Sequence, residues 1–332
     1  MKLIIQIPCL DEADTLPESL IGIPTSIDGI ETIETLVVDD GSEDDTVAVA
    51  RKLGVDHIFH HTRTLGLAQA FATGIENSLA LGADIIVNTD GDNQYPAAAI
   101  QDLVLPVISG DADIVIGDRQ VEKSPHFSGL KKALHGLGTW LVRTVSGTEV
   151  ADAPSGFRAY SRDAALRLNI LTRYSYTLET IIQAGKLGMR IESIPIGTNA
   201  PTRPSRLQSS TWHFIKAQAG TILRLYAFYE PLRTFSYIAS PFLVAGFLLL
   251  LRFGAMYLIG ERGIGRFTQS VTIGVGLLLV GVIIGLFGIQ ADISSKHRQL
   301  TQELLYRLKK SELERKSNYT DTESRPIPST KE

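Results

Sequence analysis

Asp84-Ile85-Ile86-Val87-Asn88-Thr89-Asp90-Gly91-Asp92-Asn93-Gln94 is the stretch on which the reading of this chain turns. An unbroken aliphatic run with no polar alternation is what a strand buried on both faces carries, and Asp-Gly-Asp after it is turn chemistry. Two carboxylates and an amide oxygen therefore stand on the turn that leaves a buried strand. A hard cation takes oxygen ligands, and one that works with phosphates keeps few protein ligands and several waters. Asp90, Asp92 and Gln94 are the candidate ligands for Mg2+ or Mn2+ held under a diphosphate. Alternating carboxylates also occur on ordinary solvated turns, so the surrounding sequence has to decide.

Working outward, LIIQIP, TLVVDD, VDHIFHH and ADIVIGD are further short β-rich runs, separated by helical stretches such as DTVAVARKL and GLAQAFATGIENSLALG. This alternation over the first two hundred or so residues predicts a parallel sheet covered on both faces, with ligands bound outside the carboxyl ends of its strands. The polar clusters fall at those ends: Pro8 to Glu12, Asp39 to Ser42, Asp90 to Gln94 and Gly117 to Arg119. Asp39 and Asp40 have two readings, carboxylates that accept from a nucleoside and a turn before a helix capped by Asp44 or Asp45. Cationic side chains follow where phosphates would need them: Arg119, Lys131, Arg158, Arg203 and Arg206.

The apolar surplus lies near the end. Ser236 to Gly260 reads SYIASPFLVAGFLLLLRFGAMYLIG, and Val271 to Ile289 reads VTIGVGLLLVGVIIGLFGI without a charge. At 1.5 Å per residue such a run makes roughly 28 Å of helix, about one hydrocarbon thickness. Two membrane spans are expected. Arg252 inside the first costs about 3 kcal/mol at a helix centre, less if it snorkels. Arg224 and Arg233 before the first span, and Lys296, Arg298, Arg307, Lys309 and Lys310 after the second, place both termini in the cytoplasm. The expected divisions are 1–210 for a catalytic domain, 211–234 for juxtamembrane amphipathic helices, 235–291 for the two spans and 292–332 for a charged tail, disordered in part from Ser311. Glycines in the spans, among them Gly246, Gly254, Gly274, Gly276, Gly281 and Gly285, suit close helix packing, either within the hairpin or in an oligomer.

Six ordered segments resemble the family 2 glycosyltransferases of the dolichyl-phosphate mannose synthase and bacterial polyprenyl-phosphate type. They are Ile7-Pro8-Cys9-Leu10-Asp11-Glu12, Val38 to Ser42, Asp90 to Pro96, Ile116 to Arg119, Asp152 to Arg158 and Pro204-Ser205-Arg206-Leu207. The resemblance implies an α/β fold, a GT-A type Rossmann-like nucleotide-binding domain followed by a two-helix membrane hairpin. It implies that Pro8, Leu10, Glu12, Asp39, Asp40 and Asp90 hold the nucleotide. Asp90, Asp92 and Gln94 match the metal motif, and Asp92, Asp152 and Arg119 the catalytic positions. Arg119, Lys131, Arg158, Arg203, Ser205 and Arg206 match the phosphate and acceptor contacts. The implied reaction is inverting transfer of a hexose from a UDP- or GDP-sugar to a polyprenyl phosphate, undecaprenyl phosphate by the look of the subtype, at the cytoplasmic face of the cell membrane. Asp11 in place of the usual Asn, Asp118 before Arg119, and Arg206 in place of Lys depart from the pattern.

Other classes fit less well. A processive polysaccharide synthase would need more membrane helices and a Gln-x-x-Arg-Trp segment, and a non-catalytic scaffold would not need intact acidic and basic clusters. His60 and His61 are adjacent and face opposite ways on a strand, which offers no metal pair. A P-loop and a G-x-G-x-x-G fingerprint are absent. A net charge of −4 argues against nucleic acid. The single cysteine, Cys9, precludes an internal disulfide and reads as a small core residue.

Overall fold

The computed structural model describes residues 1–122, 129–170, 176–199, 220, 224, 226–259 and 268–323. They fall into two compact units, one of residues 1–219 with 302–332 and one of residues 220–301.

In the first unit the described strands form one seven-stranded sheet: β1 (Lys2–Cys9), β2 (Thr32–Asp39), β3 (His57–His60), β4 (Ile85–Asn88), β5 (Ile114–Asp118), β6 (Arg158–Ser161) and β7 (Ile191–Pro195). Their spatial order is β3-β2-β1-β4-β6-β5-β7. β1 and β4 are the central strands predicted from unbroken aliphatic runs, and Leu3, Ile4, Ile5, Ile7, Ile86 and Val87 have no exposed surface. Each such side chain contributes about 1.5–3 kcal/mol through burial. Flanking helices include α1 (Leu16–Leu20), α2 (Thr46–Lys52), α3 (Leu67–Ala80), α4 (Ile100–Ile108), α5 (Gly129–Ser146), α6 (Arg162–Arg167) and α7 (Tyr176–Lys186). On α3, Ala68, Phe71, Ile75, Ser78 and Leu79 are buried at helical spacing.

The expected parallel sheet is corrected at one strand: it is mixed, because β6 runs antiparallel to both β4 and β5. The consequence is positional. The other strands bring their carboxyl ends to the ligand rim, whereas β6 brings its amino end there. Register fixes the place, with Arg158 opposite both Asn88 and Ile116, so the Ser155-Gly156-Phe157 segment lands between Asp90 and Gly117.

The second unit contains α8 (Pro231–Leu258) and most of the membrane-length part of α9 (Thr268–Glu323). Both are long and apolar enough to cross a membrane, and little of either apolar stretch is buried. Arg252 lies in the last two turns of α8 rather than at its centre, which shortens its path to an interface. The glycine alternatives separate. A Cβ on Gly246 would stand 2.8 Å from Gly274 O, and one on Gly281 2.6 Å from Leu243 Cδ2, so these glycines let the two backbones approach. Gly254, Gly276 and Gly285 face open space.

The tail departs from expectation. Helix α9 does not end at residue 291 but continues through Ser311 to Glu323. Glu, Leu, Lys and Arg are good helix formers, the Glu303–Arg307 pair at i,i+4 spacing adds support, and within the first unit Tyr306 donates to Asp163 Oδ1 at 2.6 Å and Lys309 to Asn169 Oδ1 at 3.2 Å.

Candidate active site

The rim is built from the loop after each strand. After β1 the chain turns sharply at Asp11, whose φ of 50° lies in the left-handed region that short polar side chains tolerate. Its N–H donates to Ser42 Oγ at 2.9 Å, and its Oδ1 accepts the N–H of Glu43 at 2.9 Å. The departure from Asn at this position is thus a turn residue that ties the β1 loop to the β2 loop. Asp118 plays a similar local part, accepting the N–H of Gln120 at 2.9 Å.

After β4, Asp90, Gly91 and Asp92 form the acidic corner. Asp92 Oδ1 accepts the N–H of Gln94 at 3.1 Å, and the loop is pinned from outside by Asn199, which donates to Asn93 O at 2.9 Å and to Gln94 O at 3.0 Å. Neighbouring side chains come close: a Cβ on Gly91 would stand 3.1 Å from Cys9 Sγ and 3.4 Å from Glu12 Cγ, and one on Gly156 3.2 Å from both oxygens of Asp90. Glycine at both positions lets three loops share this corner. Among the described residues nothing donates a hydrogen bond to Asp90. Burial, then the charges of Asp92 and Glu12, push its carboxyl up to about 7 against the pull of Arg119. Beneath it a buried network fixes the floor: Gln6 Nε2 donates to Asn88 Oδ1 at 2.8 Å, and Asn88 Nδ2 donates to Gly156 O at 2.8 Å and to the Tyr176 hydroxyl at 2.9 Å.

After β5, Arg119 meets the opposite environment. Its Nε and Nη2 donate to the two oxygens of Asp152 at 2.7 and 2.9 Å, and its N–H reaches Asp152 Oδ2 at 3.2 Å. From α5, His135 Nε2 lies 2.9 Å from Asp152 Oδ1. Burial opposes the Asp152 charge, but the Arg119 and His135 contacts outweigh it and hold the carboxyl well below the usual carboxylate range. Asp152 therefore orients a guanidinium and an imidazole, and it is a poor proton acceptor.

Two other expected site residues are corrected. Arg158 has no exposed surface. Its Nε donates to Ser155 O, Nη1 to Thr177 O and Thr180 Oγ1, and Nη2 to Ala153 O, all within 2.9 Å. A guanidinium engaged on every side by its own protein clamps the rim loop to α7 and leaves no fork for a phosphate. Asp40, nearly fully buried, accepts the N–H groups of Leu65 and Gly66 at 2.9 and 2.8 Å and pairs with His61 Nδ1 at 2.8 Å. It holds the amino end of α3, so its role is structural.

Asp39 is also enclosed, between Ser42 and His60. Pro8 lies one residue before the end of β1, beside Val38, and Leu10 and Glu12 follow the strand at the rim. Arg203, Ser205 and Arg206 lie outside the described residues, as does the side chain of Lys131. The rim thus brings together Glu12, Asp39, Asp90, Asp92, Arg119 and Asp152. Sequence reasoning missed His135 and His60. The signal available was an acidic residue fixed elsewhere on the rim for each to meet, which becomes visible only once the strands are in register.

A buried carboxylate, Asp90, whose proton affinity is raised by burial and by the charge of Asp92 suits a divalent cation that takes its remaining ligands from phosphate and water. Among the described residues no group of three or more His, Cys, Asp or Glu side chains is placed to hold a metal ion. The sheet order and this acidic corner define the GT-A class of α/β fold. A model of the family described as "Glycosyl transferase family 2" matches residues 4–168. An uncharacterised protein of Methanocaldococcus jannaschii is 31% identical over 202 residues, 59% of this chain and 81% of that protein. Undecaprenyl-phosphate mannosyltransferase of Micrococcus luteus is 29% identical over 206 residues, 59% of this chain and 83% of the relative. Among solved structures, glucosyl-3-phosphoglycerate synthase of Mycobacterium tuberculosis superimposes with a TM-score of 0.52 at 21% identity, covering 68% of this chain and 79% of that one. The chain belongs to glycosyl transferase family 2 and is a glycosyltransferase.

Proposed function

We propose that this enzyme transfers a hexose, with inversion, from a UDP- or GDP-sugar to a polyprenyl phosphate, undecaprenyl phosphate in the first instance. The observation that carries the reading is the opposition of charge across the rim: an acidic corner at Asp90 and Asp92 facing Arg119, which Asp152 holds rigid. It is supported by a relative named for mannosyl transfer to undecaprenyl phosphate and by the two apolar helices.

Asp90 and Asp92, with Gln94, are the residues that would hold Mg2+ or Mn2+, and the ion would supply Lewis-acid neutralisation of the departing diphosphate. Crystals of the mycobacterial synthase contain Mn2+ and UDP. In the reaction a phosphate oxygen of the acceptor attacks the anomeric carbon, and the bond from that carbon to the nucleoside diphosphate oxygen breaks with its electron pair going to the diphosphate. A phosphate nucleophile is already anionic, so no strong base is required, and positioning with electrostatics carries the rate. That agrees with Asp152 being occupied and held low. Arg119, aimed by Asp152, binds phosphate oxygens; Lys131, Arg203, Ser205 and Arg206 are proposed further contacts for the acceptor. The two helices span the membrane with the catalytic domain and both termini on the cytoplasmic side.

Full-length protein in detergent, incubated with polyprenyl phosphate, Mg2+ or Mn2+ and a panel of radiolabelled UDP- and GDP-sugars, tests the reading. Metal-dependent label extracted into organic solvent with one donor is the expected result. Nucleotide binding without lipid label from any donor would point instead to another acceptor.

A further inference from the structure

We propose that His60, carried on Asp39, meets the nucleobase of the donor, and that it takes a base with a ring N–H, uracil or guanine. The inference rests on the nucleotide-sugar reading and refines the part of it concerned with the base.

Asp39 ends β2, the strand between β1 and β3, with His60 directly beside it on β3 in parallel register and Cys9 on the other side. The resemblance implies that Asp39 helps hold the nucleotide, and a carboxylate there could accept from a base N–H, but the Asp39 carboxylate has no exposed surface. Oδ1 accepts the Ser42 hydroxyl, and Oδ2 faces the Ser42 N–H at 3.2 Å and His60 Nδ1 at 2.6 Å. Both oxygens are engaged. The His60 side chain, by contrast, is 52% exposed, and among the described residues only its Nδ1 has a polar partner.

Its neighbour shows the alternative. His61 uses both nitrogens, Nδ1 on Asp40 at 2.8 Å and Nε2 on Thr73 Oγ1 at 3.0 Å, and is 12% exposed. His61 is an anchor, whereas His60 is an outward-facing group on a fixed mount.

A carboxylate only accepts, so the proton between the pair sits on His60 Nδ1, and in the neutral ring Nε2 carries the lone pair. An acceptor at the rim, across Asp39 from Leu10 and Glu12, suits the N3–H of uracil or the N1–H of guanine. The ring nitrogens at the corresponding places in cytosine and adenine are themselves acceptors and would oppose it.

The test is calorimetric titration of the full-length protein in detergent with UDP, GDP, CDP and ADP in the presence of Mn2+, for wild type, His60→Ala and His60→Gln. Wild type should favour UDP or GDP. His60→Ala should weaken that nucleotide about three- to tenfold, the worth of one hydrogen bond, and leave CDP and ADP within error. His60→Gln, whose amide oxygen can reach the place of Nε2, should recover most of the loss. Undiminished UDP and GDP affinity in His60→Ala would overturn the inference and return the contact to Asp39, and an equal loss for all four nucleotides would reduce His60 to a wall of the pocket. If wild type bound none of the four, the nucleotide reading itself would fall, a result distinct from either.

Discussion

Asp90 and Asp152 are carboxylates on one rim whose surroundings push them in opposite directions. Asp90 has two acidic neighbours and is raised to about 7, while Asp152 lies between a guanidinium and an imidazole and is held far down. The difference teaches which charges the fold has spent and which it holds ready. A carboxylate saturated by its own protein positions other groups, and one left in repulsion needs a cation from outside. Separation of proton affinities within one site is a mark of assigned chemical roles.

The largest test of the contrast is at the acidic corner. Asp90→Asn and Asp92→Ala should each lower transfer by at least about 100-fold, and a chelator should do the same reversibly in wild type. Stability should move the other way. Because the folded Asp90 binds its proton more tightly than the unfolded chain, whose Asp titrates near 3.9, its contribution is complete below about pH 4 and is lost as pH rises through about 7. Metal-free wild type should therefore lose melting temperature across that window, and Asp90→Asn should flatten the slope and melt higher at its alkaline end. Asp152, depressed in the fold, has the opposite sign: its contribution is present above about pH 3.9 and is lost only in stronger acid. A thermal scan of metal-free Asp90→Asn that reproduced the wild-type slope would break the contrast.

A smaller effect separates the two buried guanidinium groups. Arg158→Met removes four hydrogen bonds from a fully buried cluster and should cost about 3 kcal/mol of stability. KM for the lipid acceptor, measured on the folded fraction at low temperature, should not change. Arg119→Met should cost a similar amount, since it takes the bidentate guanidinium from the buried charge of Asp152 and leaves it, among the described residues, only His135 and a backbone N–H, and should also raise the acceptor KM or depress kcat. A raised acceptor KM in Arg158→Met would restore Arg158 to the binding site.

What could be read beforehand follows from the same distinction. β1, β2, β4 and β5 announce themselves because strands buried on both faces need unbroken aliphatic runs. Arg158-Ala159-Tyr160-Ser161 offers no such run, and its strand state is imposed by pairing on both sides with β4 and β5, so the antiparallel strand and the mixed sheet were not legible. The acidic corner was legible as a motif, since two carboxylates one residue apart after a buried strand are a chemical statement in themselves. An arginine carries no mark in sequence of whether it will face a phosphate or four acceptors of its own chain, and Arg158 was misplaced for that reason. Asp40 was open to two readings, a nucleoside contact and a turn before a helix capped by Asp44 or Asp45, and it does something neither named: it accepts the N–H groups of Leu65 and Gly66 ahead of α3, a contact between loops far apart in sequence. The charged segment after Ser311 reads as disorder by composition, yet Glu312 to Lys316 are good helix formers and as far as Glu323 the chain continues a helix already begun, so no new nucleus is needed.

The smallest predicted effect extends the distinction between engaged and open positions into the hairpin. Gly246→Ala would set a Cβ 2.8 Å from Gly274 O and 3.0 Å from Leu278 N, both backbone atoms that cannot swing aside. Gly276→Ala meets nothing within 4 Å. The first should loosen the pairing of α8 with α9 by about 1 kcal/mol, the scale of packing terms between membrane helices, and the second should leave it unchanged. Double-cysteine crosslinking between the helices in detergent, with either alanine in the background, reads the difference as crosslinking yield. Any self-association of the protein should respond in the reverse sense, to Gly254, Gly276 and Gly285, whose outward positions are open to a second chain. Equal crosslinking yields for the two alanine variants would mean that the close approach at Gly246 does not hold the hairpin together, and the glycines would then have to be assigned to contacts between copies of the chain.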